Sequence, residues 1–150
     1  MKLYLMRHGQ AASKEIDPEQ GLTINGKRAI EQLAIKLAQQ GMSFDQAFHS
    51  GKARAQQTAE IMTRIIAPHA SLTYRENLKP DDGPEELLSD INTWQKDTLI
   101  TSHLPFIPNL LSLLTSTSQY IGFEPGTIVC LSKQGTEWHL EWITSPDPAN

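Results

Sequence analysis

The amino-acid sequence predicts a three-layer α/β/α sandwich with a mostly parallel central sheet. Three observations carry that expectation. Short apolar runs alternate with helix-patterned segments, the order that places crossover helices on both faces of a parallel sheet. The chain has 150 residues, enough for one core that buries roughly 70% of the unfolded surface. Polar residues with chemical potential stand where the apolar runs stop: Arg7-His8, Ser50 and Ser102-His103. A sheet of this class has its crevice outside the carboxyl ends of its strands. The reading is therefore a single domain over residues 1–150, with 145–150 as a loose tail.

The elements follow in order. Lys2 to Met6 is a short apolar run that ends at Arg7-His8-Gly9, as a buried strand does on meeting a loop. Gln10 to Gly21 is polar and irregular, with Asp17-Pro18 as a turn signal. Thr23 is placed to cap a helix whose apolar positions include Ala29, Ile30, Leu33 and Leu37, and which stops before Gly41. Phe44 to His49 is a second strand. Lys52 to Ile66 is a helix with Ala55, Thr58, Ala59 and Met62 on one face and Pro68 beyond its end. Ser71 to Tyr74 is a short strand, and Lys79-Pro80-Asp81-Asp82-Gly83 a loop. Glu85 to Ile91 is a short helix and Thr98 to Thr101 a strand. Pro105 suits the first turn of a helix running through Leu110 to Leu114. Gly126 to Ser132 and Glu137 to Ile143 are two late strands joined around Gly135.

Composition removes several classes of function. Thirteen Lys+Arg against 17 Asp+Glu leave a formal charge of −4, which argues against general nucleic-acid binding. No apolar run approaches the roughly 20 residues of a membrane helix, so no membrane partner is expected. The single cysteine, Cys130, allows no intrachain disulfide and no paired-cysteine metal site. It reads as a small buried hydrophobe. The first nine residues do not form a signal peptide, and the setting expected is a reduced, cytoplasmic one.

The three loops would gather Arg7, His8, Arg54 and His103, with Ser50 near them. Two guanidiniums and two imidazoles do not attract one another. They need an anion between them, and phosphate matches the arginine fork. A histidine there is a candidate nucleophile, because neighbouring cations favour its neutral form with a free lone pair. Gly9 would let the backbone turn so that a nearby carbonyl holds one ring nitrogen. Each residue alone has a plainer reading: a strand end, a histidine capping a helix, a solvated arginine. Three loops supplying phosphate chemistry together is harder to ascribe to accident.

At these residues the sequence resembles the histidine phosphatase (phosphoglycerate mutase-like) superfamily. Leu5-Met6-Arg7-His8-Gly9 is similar to its RHG signature. Leu22-Thr23-x-x-Gly26-x-x-Ala29, Ser50-x-x-x-Arg54-Ala55-x-Gln57-Thr58-Ala59 and Ser102-His103 follow in the family's order. The likeness runs from about residue 2 to 115. The short chain, Arg7-His8-Gly9-Gln10-Ala11-Ala12 and Ser102-His103-Leu104-Pro105 most resemble the SixA-type phosphohistidine phosphatases. The resemblance implies the phosphoglycerate mutase-like fold and a set of roles. His8 becomes phosphorylated and is then hydrolysed, Arg7 and Arg54 clamp the phosphoryl oxygens, and His103 donates a hydrogen bond to them. Gly9, Ser50 and Leu104 are expected at the substrate site beside them. No metal or other cofactor is implied, since the cationic side chains supply the charge.

The interval from Glu76 to Lys96 is too short for the helical lid of larger members. Asp81 or Asp82 stands about where a general acid would, but a polar turn explains both equally well. An alkyl phosphate without such an acid would react roughly 10²–10⁴-fold more slowly, whereas phosphohistidine leaves readily as imidazole. The expected substrate is therefore phosphate on a histidine-phosphorylated protein such as a phosphotransfer domain. Two alternatives stand beside it: a phosphatase for a small phosphoester, and a phosphate-binding regulator without useful turnover. His49, His69 and His139 lack metal-ligand spacing, and Trp94, Trp138 and Trp142 read as core and edge aromatics. Lys27 and Lys52 would add positive field near the site, or simply lie in solvent.

Overall fold

In the computed structural model, which describes residues 1–117 and 121–147, strands and helices alternate as the apolar pattern requires. They are β1 (Lys2–Arg7), α1 (Ile24–Gln39), β2 (Gln46–His49), α2 (Ala53–Ile66) and β3 (Ser71–Tyr74). Then come α3 (Glu85–Ile91), β4 (Thr98–Ser102), α4 (Phe106–Thr115), β5 (Ile128–Gln134) and β6 (Glu137–Thr144). The strands form one sheet in the order β3-β2-β4-β1-β5-β6. The four strands β3, β2, β4 and β1 are mutually parallel, and β5 runs antiparallel to both β1 and β6.

Alternation along β1 divides the core between two layers, because successive side chains point to opposite faces. Tyr4 and Met6 join Ile30, Leu33 and Leu37 of α1 and Ile61 and Met62 of α2 on one face. Leu3 and Leu5 join Leu87 and Ile91 of α3 and Phe106 and Leu110 of α4 on the other. The result is the expected α/β/α sandwich. Cys130 is buried at 0% exposure within the first layer, as a small hydrophobe. No helix among the described residues is long and apolar enough to cross a membrane.

The connectivity locates a crevice. The chain moves outward from β1 through α1 to β2 and α2 to β3. It then returns on the other face to insert β4 between β2 and β1. The helices leaving adjacent strands β1 and β4 therefore lie on opposite faces, which opens a gap at the strands' carboxyl ends. Register aligns what lies there. Arg7 pairs with Ser102 and His49 with Thr101, so His8, Ser50 and His103 begin their loops at nearly the same level.

Several boundaries differ from expectation. Strand β2 begins at Gln46, the first residue in register with both β3 and β4, while the Asp45 amide donates to the Asp97 carbonyl ahead of the ladder. Pro105 precedes α4 as its cap, and the first helical residue is Phe106. Strand β5 begins at Ile128, because Gly126 has φ +84° and serves a turn rather than a strand. Within the expected tail, Ser145 and Pro146 make contacts with the domain. The hydroxyls of Ser145 and Thr127 are 2.7 Å apart, and Pro146 packs so close to Gly126 that a Cβ there would lie 2.6 Å from it. Positions 148–150 lie outside the described residues.

Candidate active site

His8 leaves the end of β1 with its amide donating to the Ser102 carbonyl at 3.0 Å, which ties the β1 loop to β4. Its Nδ1 lies 2.7 Å from the Gly9 carbonyl oxygen. A carbonyl only accepts, so Nδ1 carries the proton and Nε2 keeps its lone pair. Burial pushes the His8 pKa down to about 4; the Gly9 bond opposes this, and Arg54 and Arg7 lower it further. Burial thus outweighs the neighbouring cations that the sequence suggested as the cause. At neutral pH the ring is an uncharged imidazole with a free Nε2.

Gly9 also works differently from the expectation. A Cβ on it would lie 2.9 Å from Ile30 Cγ1 and 3.2 Å from Leu22 Cδ2. The residue is small because α1 packs directly against the loop, not because the loop must turn sharply.

Arg7 and Arg54 share a cleft with this ring. Arg7 donates from Nη1 to the Phe123 carbonyl at 2.8 Å. Arg54 occupies the first turn of α2. Burial holds the pKa of each below the ordinary arginine value, though a guanidinium remains charged. Together with His8, Gln20 and Pro125 they line an open cleft of about 410 Å³, and no Asp or Glu is among its lining residues.

His103 lies beside His8, with ring centroids 5.1 Å apart. It is only 2% exposed. Its Nε2 stands 2.6 Å from Ser50 Oγ, and Ser50 Oγ in turn accepts from the Lys52 amide at 3.4 Å. Burial, then the charges of His8, Arg54, Lys52 and Arg7, push its pKa down to about 3. Ser50 was expected to touch substrate; its direct partner here is His103. Leu104 is 39% exposed next to it.

The remaining motif residues brace the cleft. Thr58 Oγ1 accepts from the Gly9 amide at 3.0 Å and donates to the Arg54 carbonyl at 2.8 Å, joining the His8 loop to α2. Gln57 Oε1 accepts from the Leu22 amide at 2.7 Å. Thr23 caps α1 by accepting from the Gly26 amide at 2.8 Å. A Cβ on Gly26 would lie 2.3 Å from the Gln10 carbonyl oxygen. Bracing by Gln57 and Thr58 was not foreseen, although both stand in the quoted motif. Phe123 was missed entirely, since any residue type can offer a backbone carbonyl.

Of the acids considered, Asp82 accepts from the Lys79 amide at 2.9 Å and closes the 79–82 turn. Neither Asp81 nor Asp82 lines the cleft. His49 is buried and accepts from the Gly51 amide at 3.1 Å, a structural role. Among the described residues no group of three His, Cys, Asp or Glu is placed to hold a metal ion.

The pattern of the histidine phosphatase superfamily (branch 1) matches residues 3–79, and the chain belongs to that superfamily. Among solved structures it is similar to the protein histidine phosphatase SixA complexed with tungstate, at 24% identity over 97% of each chain with a TM-score of 0.87. It is also similar to a SixA protein from Nakamurella multipartitia, at 25% identity over 97% of this chain and 95% of that one, TM-score 0.79. The fold is thus the phosphoglycerate mutase-like one of the SixA structures, without a large lid insertion. An uncharacterized protein of Picosynechococcus sp. is 32% identical over 99 residues, which cover 63% of this chain and 59% of that protein. The match therefore takes in about three fifths of that relative's length.

Proposed function

We propose that this chain is a single-domain, metal-independent phosphohistidine phosphatase that removes phosphate from a histidine-phosphorylated protein. The observation that carries the reading is the His8 tautomer. The Gly9 carbonyl holds the proton on Nδ1, and Nε2 is presented in a cleft shared with Arg7 and Arg54. In the first step Nε2 bonds to phosphorus while the bond from phosphorus to the substrate imidazole breaks. The released imidazole takes a proton from solvent. In the second step water attacks phosphorus, the bond to His8 breaks, and inorganic phosphate leaves with the neutral ring restored. The guanidiniums balance the charge on the phosphoryl oxygens throughout. His103 serves the same oxygens by exchanging its Ser50 partner for one of them.

Two features favour phosphohistidine over an alkyl phosphate. A cleft with no lining carboxylate has no acid to protonate an alkoxide, and phosphohistidine needs none. The uncovered cleft also admits a phosphoryl group standing on another protein's surface, such as a phosphotransfer domain. The SixA likeness, including a member that holds tungstate, a tetrahedral oxyanion, points the same way. The test is transfer of labelled phosphate from a phosphohistidine protein, quenched in alkali. Wild type should carry an alkali-stable, acid-labile label that is absent from His8→Ala. An equal label on both proteins would overturn His8 as the nucleophile.

A further inference from the structure

Beside the cleft, and sharing Gln20 and Arg54 with it, lies a second depression of about 500 Å³. Its lining has a different chemistry. Lys14 comes from the 10–22 loop, Lys52 from the cap of α2, and Lys79 from the loop after β3; with Arg54 they face a single carboxylate, Glu19. Among the described residues none of these lysines has a carboxylate within ion-pair distance. Four cations against one anion is a strong local reversal in a chain of formal charge −4. Tyr74 also lines the depression, 48% exposed, with its ring against Gly51. Ile16, on the same loop as Lys14, is 82% exposed.

We propose that this depression docks an acidic segment of the phosphorylated protein, the carboxylate-bearing surface that flanks its phosphohistidine. The inference rests on the phosphohistidine reading above and adds what the substrate must carry around the modified residue. The charge complementarity is one-sided and, among the described residues, unspent, so a carboxylate-rich surface gains attraction without displacing an ion pair there. The exposed aromatic Tyr74 offers the amphipathic contact that protein interfaces favour. Because Arg54 borders both depressions, one segment can place its phosphoryl group on the cleft side and its carboxylates on the lysine side. A lone phosphate or small phosphoester fills only the first.

The experiment uses the full chain and three substrates: free phosphohistidine, a phosphohistidine peptide with glutamate flanks, and the same peptide with glutamine flanks. Wild type should favour the glutamate peptide in kcat/KM by on the order of tenfold at low salt, with the gap closing as salt rises. The double variant Lys14→Glu and Lys79→Glu, both exposed positions, should lose or invert that preference while free phosphohistidine is turned over as before. Equal turnover of the two peptides by wild type would overturn the docking groove and leave the phosphatase reading standing. So would a preference that survives in the double variant. Failure to hydrolyse any of the three would overturn both.

Discussion

The Nε2 lone pair of His8 is free because the Gly9 carbonyl takes the other ring nitrogen at 2.7 Å, and the ring is neutral because it is buried. This has a pH consequence with a defined sign. Folding lowers the pKa of His8 from the ordinary 6.5 to about 4 and that of His103 to about 3. Between those values and 6.5 the unfolded chain binds protons that the folded chain refuses. The stability from neutral burial is therefore full above 6.5 and is lost as pH falls toward 4 and then 3. Proton NMR should place the imidazole midpoints near 4 and 3. The urea midpoint of wild type should fall more steeply between pH 6.5 and 4 than that of His8→Asn. A His8 midpoint at or above 6.5 would contradict this electrostatic account. That Arg7, His8 and Arg54 would meet at one cleft with His103 beside His8 was legible as sequence, because each carries its chemistry in its side chain. The Phe123 carbonyl that holds Arg7 was not, because its contribution is independent of residue type. The dominance of burial over the cations was equally out of reach, since burial depends on what folds over the ring.

At the scale of elements, the site depends on how closely α1 and α2 meet the 9–22 loop. Gly26 permits α1 to approach the Gln10 carbonyl, and Thr58 bridges the Gly9 amide to the Arg54 carbonyl. Gly26→Ala puts a Cβ against backbone rather than a flexible side-chain end, so the loop or the helix must shift. Overpacking of this kind costs about 1–3 kcal/mol. Thr58→Val leaves the buried Gly9 amide without its acceptor, at a similar cost of roughly 1–3 kcal/mol. Both variants should show lower urea midpoints together with reduced turnover. Wild-type stability and activity in Gly26→Ala would show that the contact does not position the loop. Helix and strand identities were readable because the 3.6 and 2 periodicities are local. The errors fell at ends. Phe44 is as apolar as a strand residue, yet pairing waits for Gln46; Gly126 sits in an apolar run but takes a left-handed turn.

For the whole molecule, the topology converts separate motifs into one site. Inserting β4 between β1 and β2 brings the Arg7-His8, Ser50 and Ser102-His103 loops to one level. The order of apolar runs predicts the sandwich, whereas the insertion depends on long-range pairing that no local pattern encodes. The same arrangement leaves the cleft open at the carboxyl edge, with the lysine-lined depression beside it. The central claim is that His8 carries the phosphoryl group, with Arg7, Arg54 and His103 on its oxygens, and that no metal is needed. Its most direct test is phosphate release from a histidine-phosphorylated phosphotransfer domain, with wild type and His8→Ala side by side, with and without a metal chelator. The account predicts release by wild type at the same rate in both conditions. In His8→Ala release should fall by on the order of 10³-fold or more. Undiminished release by His8→Ala, or loss of wild-type release on adding chelator, would contradict it.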